Sequence, residues 1–224
     1  MRPNPVLHRL AFSDCDRVAL IHTDDIGMCQ ATVDAFADLA GFGLISCGAT
    51  MVPCPWFPLA ADFCRRHPGV DMDVHLDLTC EWDLYRWGPI STHEPGSGLI
   101  DREGYLYRTS EEVQQHGDPE AVSCELQTQV ERALAAGIDV THVDTLMGTV
   151  GHAKFIPAYL QLVFRYRVPA MLPRLDQAAW EARGLDSAAA RMAVEAVNQI
   201  EESGVPLLYG MLGLPLEQPE DRIE

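Results

Sequence analysis

Short apolar runs and amphipathic helical stretches take turns along this chain. That alternation constrains its fold more than any other feature. The stretch 17–25, RVALIHTDD, carries the continuous apolar run Val18, Ala19, Leu20 and Ile21 and reads as a buried strand. From about Cys29 to Leu39, Val33, Phe36, Ala37 and Ala40 share a face, and Gly41 and Gly43 close a helix. A strand over 44–52 and a proline-started helix over 55–67 follow. At 70–79, Val70, Met72, Val74, Leu76 and Leu78 alternate strictly with Asp71, Asp73, His75, Asp77 and Thr79, the period of a strand. The stretch 118–137 reads as a helix capped by Asp118, opened by Pro119, striped by Val122, Leu126, Val130 and Leu134, and ended by Gly137. Further strands are expected at 138–148, 170–172 and 205–212, with helices at 153–168 and about 175–203.

Roughly six strand–helix units without a linker predict one α/β domain over 1–224, with a mostly parallel sheet and helices outside. A closed eight-unit barrel takes about 250 residues, so the expected architecture is a distorted or incomplete (β/α) TIM-like barrel. A doubly wound open sheet has the same periodicity and is the alternative. The irregular region 80–110 is too long for a plain connector and reads as a functional loop insertion.

Charge narrows the partners. Sixteen Lys and Arg face 33 Asp and Glu, a formal net charge of -17. Such a chain repels phosphate backbones and acidic membrane surfaces, which leaves metal cations and neutral polar molecules. No apolar run approaches the roughly 18–20 residues of a membrane span. The first residues lack a secretory apolar segment, so a cytoplasmic location is expected. Seven scattered cysteines without a CxxC pair argue against a disulfide framework and a cysteine zinc site.

In either architecture the chemistry belongs beyond the carboxyl ends of the strands. Three expected strands end in ionisable groups: His22-Thr23-Asp24-Asp25, His75 with Asp77, and His142 with Asp144. Asp24 and Asp25 would point to opposite faces of a regular strand, so both reach one site only where the chain bends, and Gly27 permits that. Two adjacent ionised carboxylates are compatible when a divalent cation joins them. One would hold the metal and the other take a proton from its water. The same pair could instead cap the next helix. His75 is either a metal ligand or part of a solvated strand face. Asp144 could orient His142, or the two form a buried hydrogen-bonded pair. The aromatic residues Trp82, Tyr85, Trp87, Tyr105 and Tyr107 suit a sugar platform, or they pin the insertion to the body.

Together, HTDDIG at 22–27, VHLDLT at 74–79 and THVDTLMGTV at 141–150 resemble the three signatures of the YdjC/ChbG carbohydrate deacetylases. The resemblance runs from about residue 17 to the end. It implies a distorted (β/α) barrel that removes N-acetyl groups from a small sugar with a divalent metal, with Mg, Zn, Mn, Co and Ni all open. By position, Asp24 would be the general base, and Asp25 and His75 metal ligands. The family's third ligand, a histidine, falls on Leu146, so His142, His152 or water would have to replace it, with Asp144 nearby. Family members continue past a point such as Glu224 with segments that include a histidine able to act as general acid. Part of the C-terminal fold is therefore expected to be missing. An open sheet edge would favour a homodimer. The alternative function is a catalytically impaired relative that binds a sugar or regulates a partner.

Overall fold

A computed structural model describes residues 6–182 and 186–213. The chain divides into two compact units, one of residues 17–171 and one combining 1–16 with 172–224. In the larger unit, strands β1 (His22–Ile26), β2 (Cys47–Thr50), β3 (Met72–Leu76) and β4 (Val140–Thr145) form an all-parallel sheet in the order β1-β2-β3-β4. Helices α1 (Gln30–Phe42), α2 (Phe57–Arg66) and α4 (Pro119–Ala135) make the crossovers, with a short α3 (Ser110–His116) before α4 and α5 (Ile156–Tyr166) after β4. Strands added one after another without a reversal are the order of a barrel wall. A doubly wound sheet reverses at a switch point. The mixed α/β class with parallel strands is therefore as expected, with four strands described rather than six.

β3 is buried along its whole length, which explains its two-sided character. Met72, Val74 and Leu76 pack outward under the helices, and Asp73 and His75 are buried on the other face. Gly48 of β2 is required by packing: a Cβ there would collide with Ile26 Cδ1 and Phe36 Cε2. α4 is capped as its sequence demands, with Asp118 accepting from the amides of Glu120 and Ala121. Its buried stripe is Val122, Leu126, Val130 and Ala133, while Leu134 is exposed. Two polar residues share that buried face. Gln129 accepts from Asp77 N at 2.9 Å and donates to Asp77 O at 2.8 Å, which replaces ladder bonds where the chain leaves β3. Glu125 accepts from Ile90 N and Ser91 N and ties down the insertion.

Several expectations need correction. The apolar run 18–21 lies outside β1, and Val18, Leu20 and Ile21 are exposed. Strand pairing begins only at His22, opposite Cys47. Helix α3 begins where the irregular region 80–110 ends, in a stretch for which no element is expected, although Thr109 and Glu112 form a capping box there. The strand expected at 170–172 reduces to a bridge from Ala170 to Val143.

In the smaller unit, a 3₁₀ turn (Leu7–Leu10) accompanies α6 (Gln177–Glu181) and α7 (Ser187–Glu202), each capped by an aspartate, Asp176 and Asp186. The expected strand at 205–212 is a single parallel bridge from Leu208 to Pro173. All seven cysteines are free thiols. No helix among the described residues is long and apolar enough to cross a membrane.

Candidate active site

β1 does not run straight into its helix. The register slips between Thr23 and Ile26, and Asp25 adopts a left-handed backbone with φ 63°. For a residue other than glycine that conformation costs about 1–3 kcal/mol. The bend thus falls on Asp25 itself, and Gly27 continues it with φ 92°. A side chain at Gly27 would press on the backbone of Phe57 at 3.1 Å.

The bend turns Asp25 toward β3. Its Oδ1 stands 3.7 Å from His75 Nε2. The other nitrogen of that imidazole, Nδ1, lies 2.6 Å from Asp144 Oδ1 on β4, the residue paired with His75 in the ladder. Asp144 therefore orients His75, not His142. Both His75 and Asp144 are buried. Asp24 leans the opposite way, with its Oδ1 2.7 Å from His22 Nδ1. His22, Asp24 and Asp144 also offer donor atoms within 4.8 Å of one another. Sequence reasoning placed His22 beside this pair without giving it a task. The signal was its two-residue spacing from Asp24, which puts both on one face.

Electrostatics separate the two adjacent carboxylates. The hydrogen bond from His22 holds Asp24 below the usual carboxylate range against the opposing effect of burial. Burial raises Asp25, and His75 offsets that only in part. Burial works against charge on His75, but Asp144, Asp77 and Asp73 outweigh it and push its pKa up to about 10. His22 behaves alike: contacts with Asp24 and Asp73 overcome burial and raise it to about 10. Asp77 is fully buried, neither of its side-chain oxygens has a hydrogen-bond partner, and burial raises it well above its ordinary value.

The remaining expected site residues differ in what they contact. His142 turns its Nε2 to Asp73 Oδ2 at 3.2 Å. His152 is exposed, and its Nδ1 accepts from Lys154 N. Leu146 is buried and offers no donor atom. In the insertion, Trp87 is buried and Tyr85 donates to Met28 O, so these two pin the loop beside the β1–α1 turn. Trp82 and Tyr105 keep exposed faces. A surface cavity of about 490 Å³ lies between the insertion and α3 and not at the strand ends. Two arginines that line it, Arg86 and Arg108, are paired with Asp101 and Asp83.

Residues 18–218 match the model of the YdjC-like protein family. A carbohydrate deacetylase of Thermus thermophilus is 31% identical over 157 residues, which cover 70% of this chain and 54% of that protein. A carbohydrate deacetylase of Brevibacillus brevis is 29% identical over 156 residues, 70% of this chain and 59% of that one. The chain therefore spans 54% to 59% of the length of these two relatives. A solved structure from Enterococcus faecalis, named for cellobiose-phosphate cleavage, superposes with a TM-score of 0.64 at 22% identity, over 80% of this chain and 64% of that one. What it shares with this chain is the fold.

Proposed function

The chain belongs to the YdjC-like protein family, and from that premise we propose that it is a metal-dependent hydrolase that removes N-acetyl groups from a small sugar or oligosaccharide. The observation that carries this reading is the pairing of Asp25 Oδ1 with His75 Nε2 at 3.7 Å while Asp144 holds the far nitrogen of the same ring. A carboxylate behind a histidine whose other nitrogen faces a second acid is the usual support of a metal ligand. Nitrogen and oxygen donors of this kind suit Zn, Mn, Co or Ni, while Mg prefers oxygen. Asp25 and His75 would hold the ion, and Leu146 leaves the third position to water or substrate.

The divalent ion, when bound, would supply a Lewis acid that polarises the acetyl carbonyl and lowers the pKa of water. Asp24 takes the proton of the attacking water, since its hydrogen bond with His22 keeps it ionised. The water oxygen bonds to the acetyl carbon, the C–N bond breaks, and the proton on Asp24 passes to the departing amine. His22 is the positioning residue for this base. Trp82 and Tyr105, exposed within the insertion, would offer flat faces for a sugar ring, with Arg86 over one face of Tyr105.

The test is acetate release from N,N′-diacetylchitobiose by the full chain, with each divalent metal added in turn. Metal-dependent release that Asp25→Ala abolishes supports the reading. A second reading, an impaired relative that binds sugar without cleaving it, is favoured by Leu146. Retained sugar binding without acetate release under every metal would select it.

A further inference from the structure

Toward the start of the strands a second set of donors converges, and it shares only His22 with the chemistry above. His22 opens β1, Cys47 opens β2 opposite it, Asp73 belongs to β3 and His142 to β4. His22, Cys47 and His142 each offer a ligand atom within 4.8 Å of the others. Asp73 completes the ring: its Oδ2 is 3.2 Å from His142 Nε2 and 3.5 Å from His22 Nε2. Asp73 is 0% exposed, and neither of its oxygens completes a hydrogen bond. His22 Nε2 is likewise buried without a hydrogen-bond partner. A carboxylate left this way in the interior is strongly unfavourable unless positive charge meets it.

The two imidazoles are turned the same way. His22 Nδ1 is held by Asp24 at 2.7 Å. His142 Nδ1 lies 2.8 Å from Thr141 Oγ1 and 3.5 Å from Asp71 Oδ1. Each ring therefore keeps its Nε2 aimed at Asp73, with an outer polar group fixing its orientation, as metal-bound histidines are fixed. We propose that His22, Cys47, His142 and Asp73 form a second cation site, separate from Asp25 and His75, that binds a divalent ion of the zinc class. Two imidazoles, a thiolate and a carboxylate select Zn²⁺ or Co²⁺ over Mg²⁺ or Ca²⁺. Donors at tetrahedral zinc stand roughly 3.3–3.7 Å apart, given bonds of about 2.0–2.3 Å. The Asp73 contacts already lie close to that spacing, and Cys47 closes the remainder by a side-chain adjustment. On binding, the Cys47 thiol proton and the proton on His22 pass to solvent, and the freed lone pairs go to the ion. The ion would then sit one residue pair away from Asp24, joined to it through the His22 ring.

The experiment titrates the metal-free full chain with Co²⁺. The expected result is a thiolate-to-cobalt charge-transfer band in the near ultraviolet together with tetrahedral visible bands. Cys47→Ser should abolish the charge-transfer band. His142→Gln should weaken Co²⁺ binding by about tenfold or more. Both variants are checked for unchanged circular dichroism. Asp25→Ala should leave the band in place, so failure of this proposal and failure of the deacetylase reading are told apart. Cobalt binding without a thiolate band, or a band that survives Cys47→Ser, overturns the site and leaves an ion pair of His22 with Asp73 in its place. Should Cys47→Ser unfold, zinc stoichiometry of the wild type against His142→Gln decides the matter: equal stoichiometry overturns the proposal.

Discussion

β1 and β3 both deliver acidic side chains to the inner face of the sheet, but among the described residues β1 has one strand neighbour and β3 has two. On β3 and its extension, Asp73 and Asp77 are fully buried, and their carboxyl oxygens have no hydrogen-bond partner. On β1, Asp24 and Asp25 keep 59% and 42% of their side-chain surface. Burial drives the central pair up in pKa, while Asp24, wet and bonded to His22, goes down. The same residue type is thus held in its ionised form at Asp24 and pushed toward its neutral form at the centre. Burial and hydrogen bonding, not residue identity, set the difference, since Asp25 on the same edge strand lacks the His22 bond and is raised by burial.

That contrast can be broken by experiment. The largest effect belongs to the edge: Asp24→Asn should lower kcat for acetate release by about 10²–10⁴-fold with the melting temperature unchanged. A matching loss of stability would mean that Asp24 serves the fold instead. At the centre the reverse is expected. Leu76→Ala, in a fully buried β3 position, should cost about 2–5 kcal/mol in denaturant unfolding. A loss below about 1 kcal/mol would show that the core around β3 is loose. Between the two lies Leu146→His, at the end of β4. It should tighten binding of the rim metal by about 10–100-fold in calorimetry, judged by the known weight of groups around metal sites. Unchanged affinity would separate the end of β4 from Asp25 and His75. The smallest effect is expected from Leu20→Ser, before β1, which should shift stability by no more than about 0.5 kcal/mol because Leu20 is 58% exposed.

Leu20 also marks a limit on what the sequence alone can say. β3 was legible because its strict alternation is the period of a strand, and α4 because cap, proline, stripe and terminal glycine all agree. The run at 18–21 misled because hydrophobicity marks what can be buried, while strand formation at an edge follows from pairing, which starts at His22. α3 was missed because its seven residues are too few to show an apolar stripe, and Val113 is its one buried residue. Asp25 and His75 were legible as candidates from strand-end position. The partnership of His75 with Asp144 was not, since it depends on the β3–β4 register, which opposes those two residues across 69 positions of sequence. The clamp of Gln129 on the backbone of Asp77 was hidden for the same reason. On a helix read alone, a glutamine beside an apolar stripe looks like solvent-facing surface.

The left-handed backbone at Asp25 has a consequence for how this protein would respond to selection. A library randomised at that codon and sorted for thermal robustness should enrich glycine, with asparagine next, because both accept the conformation cheaply. The same library sorted for turnover should return aspartate. Conformational ease and chemical competence pull in opposite directions at one residue, so a more heat-resistant version obtained there would be an inert one.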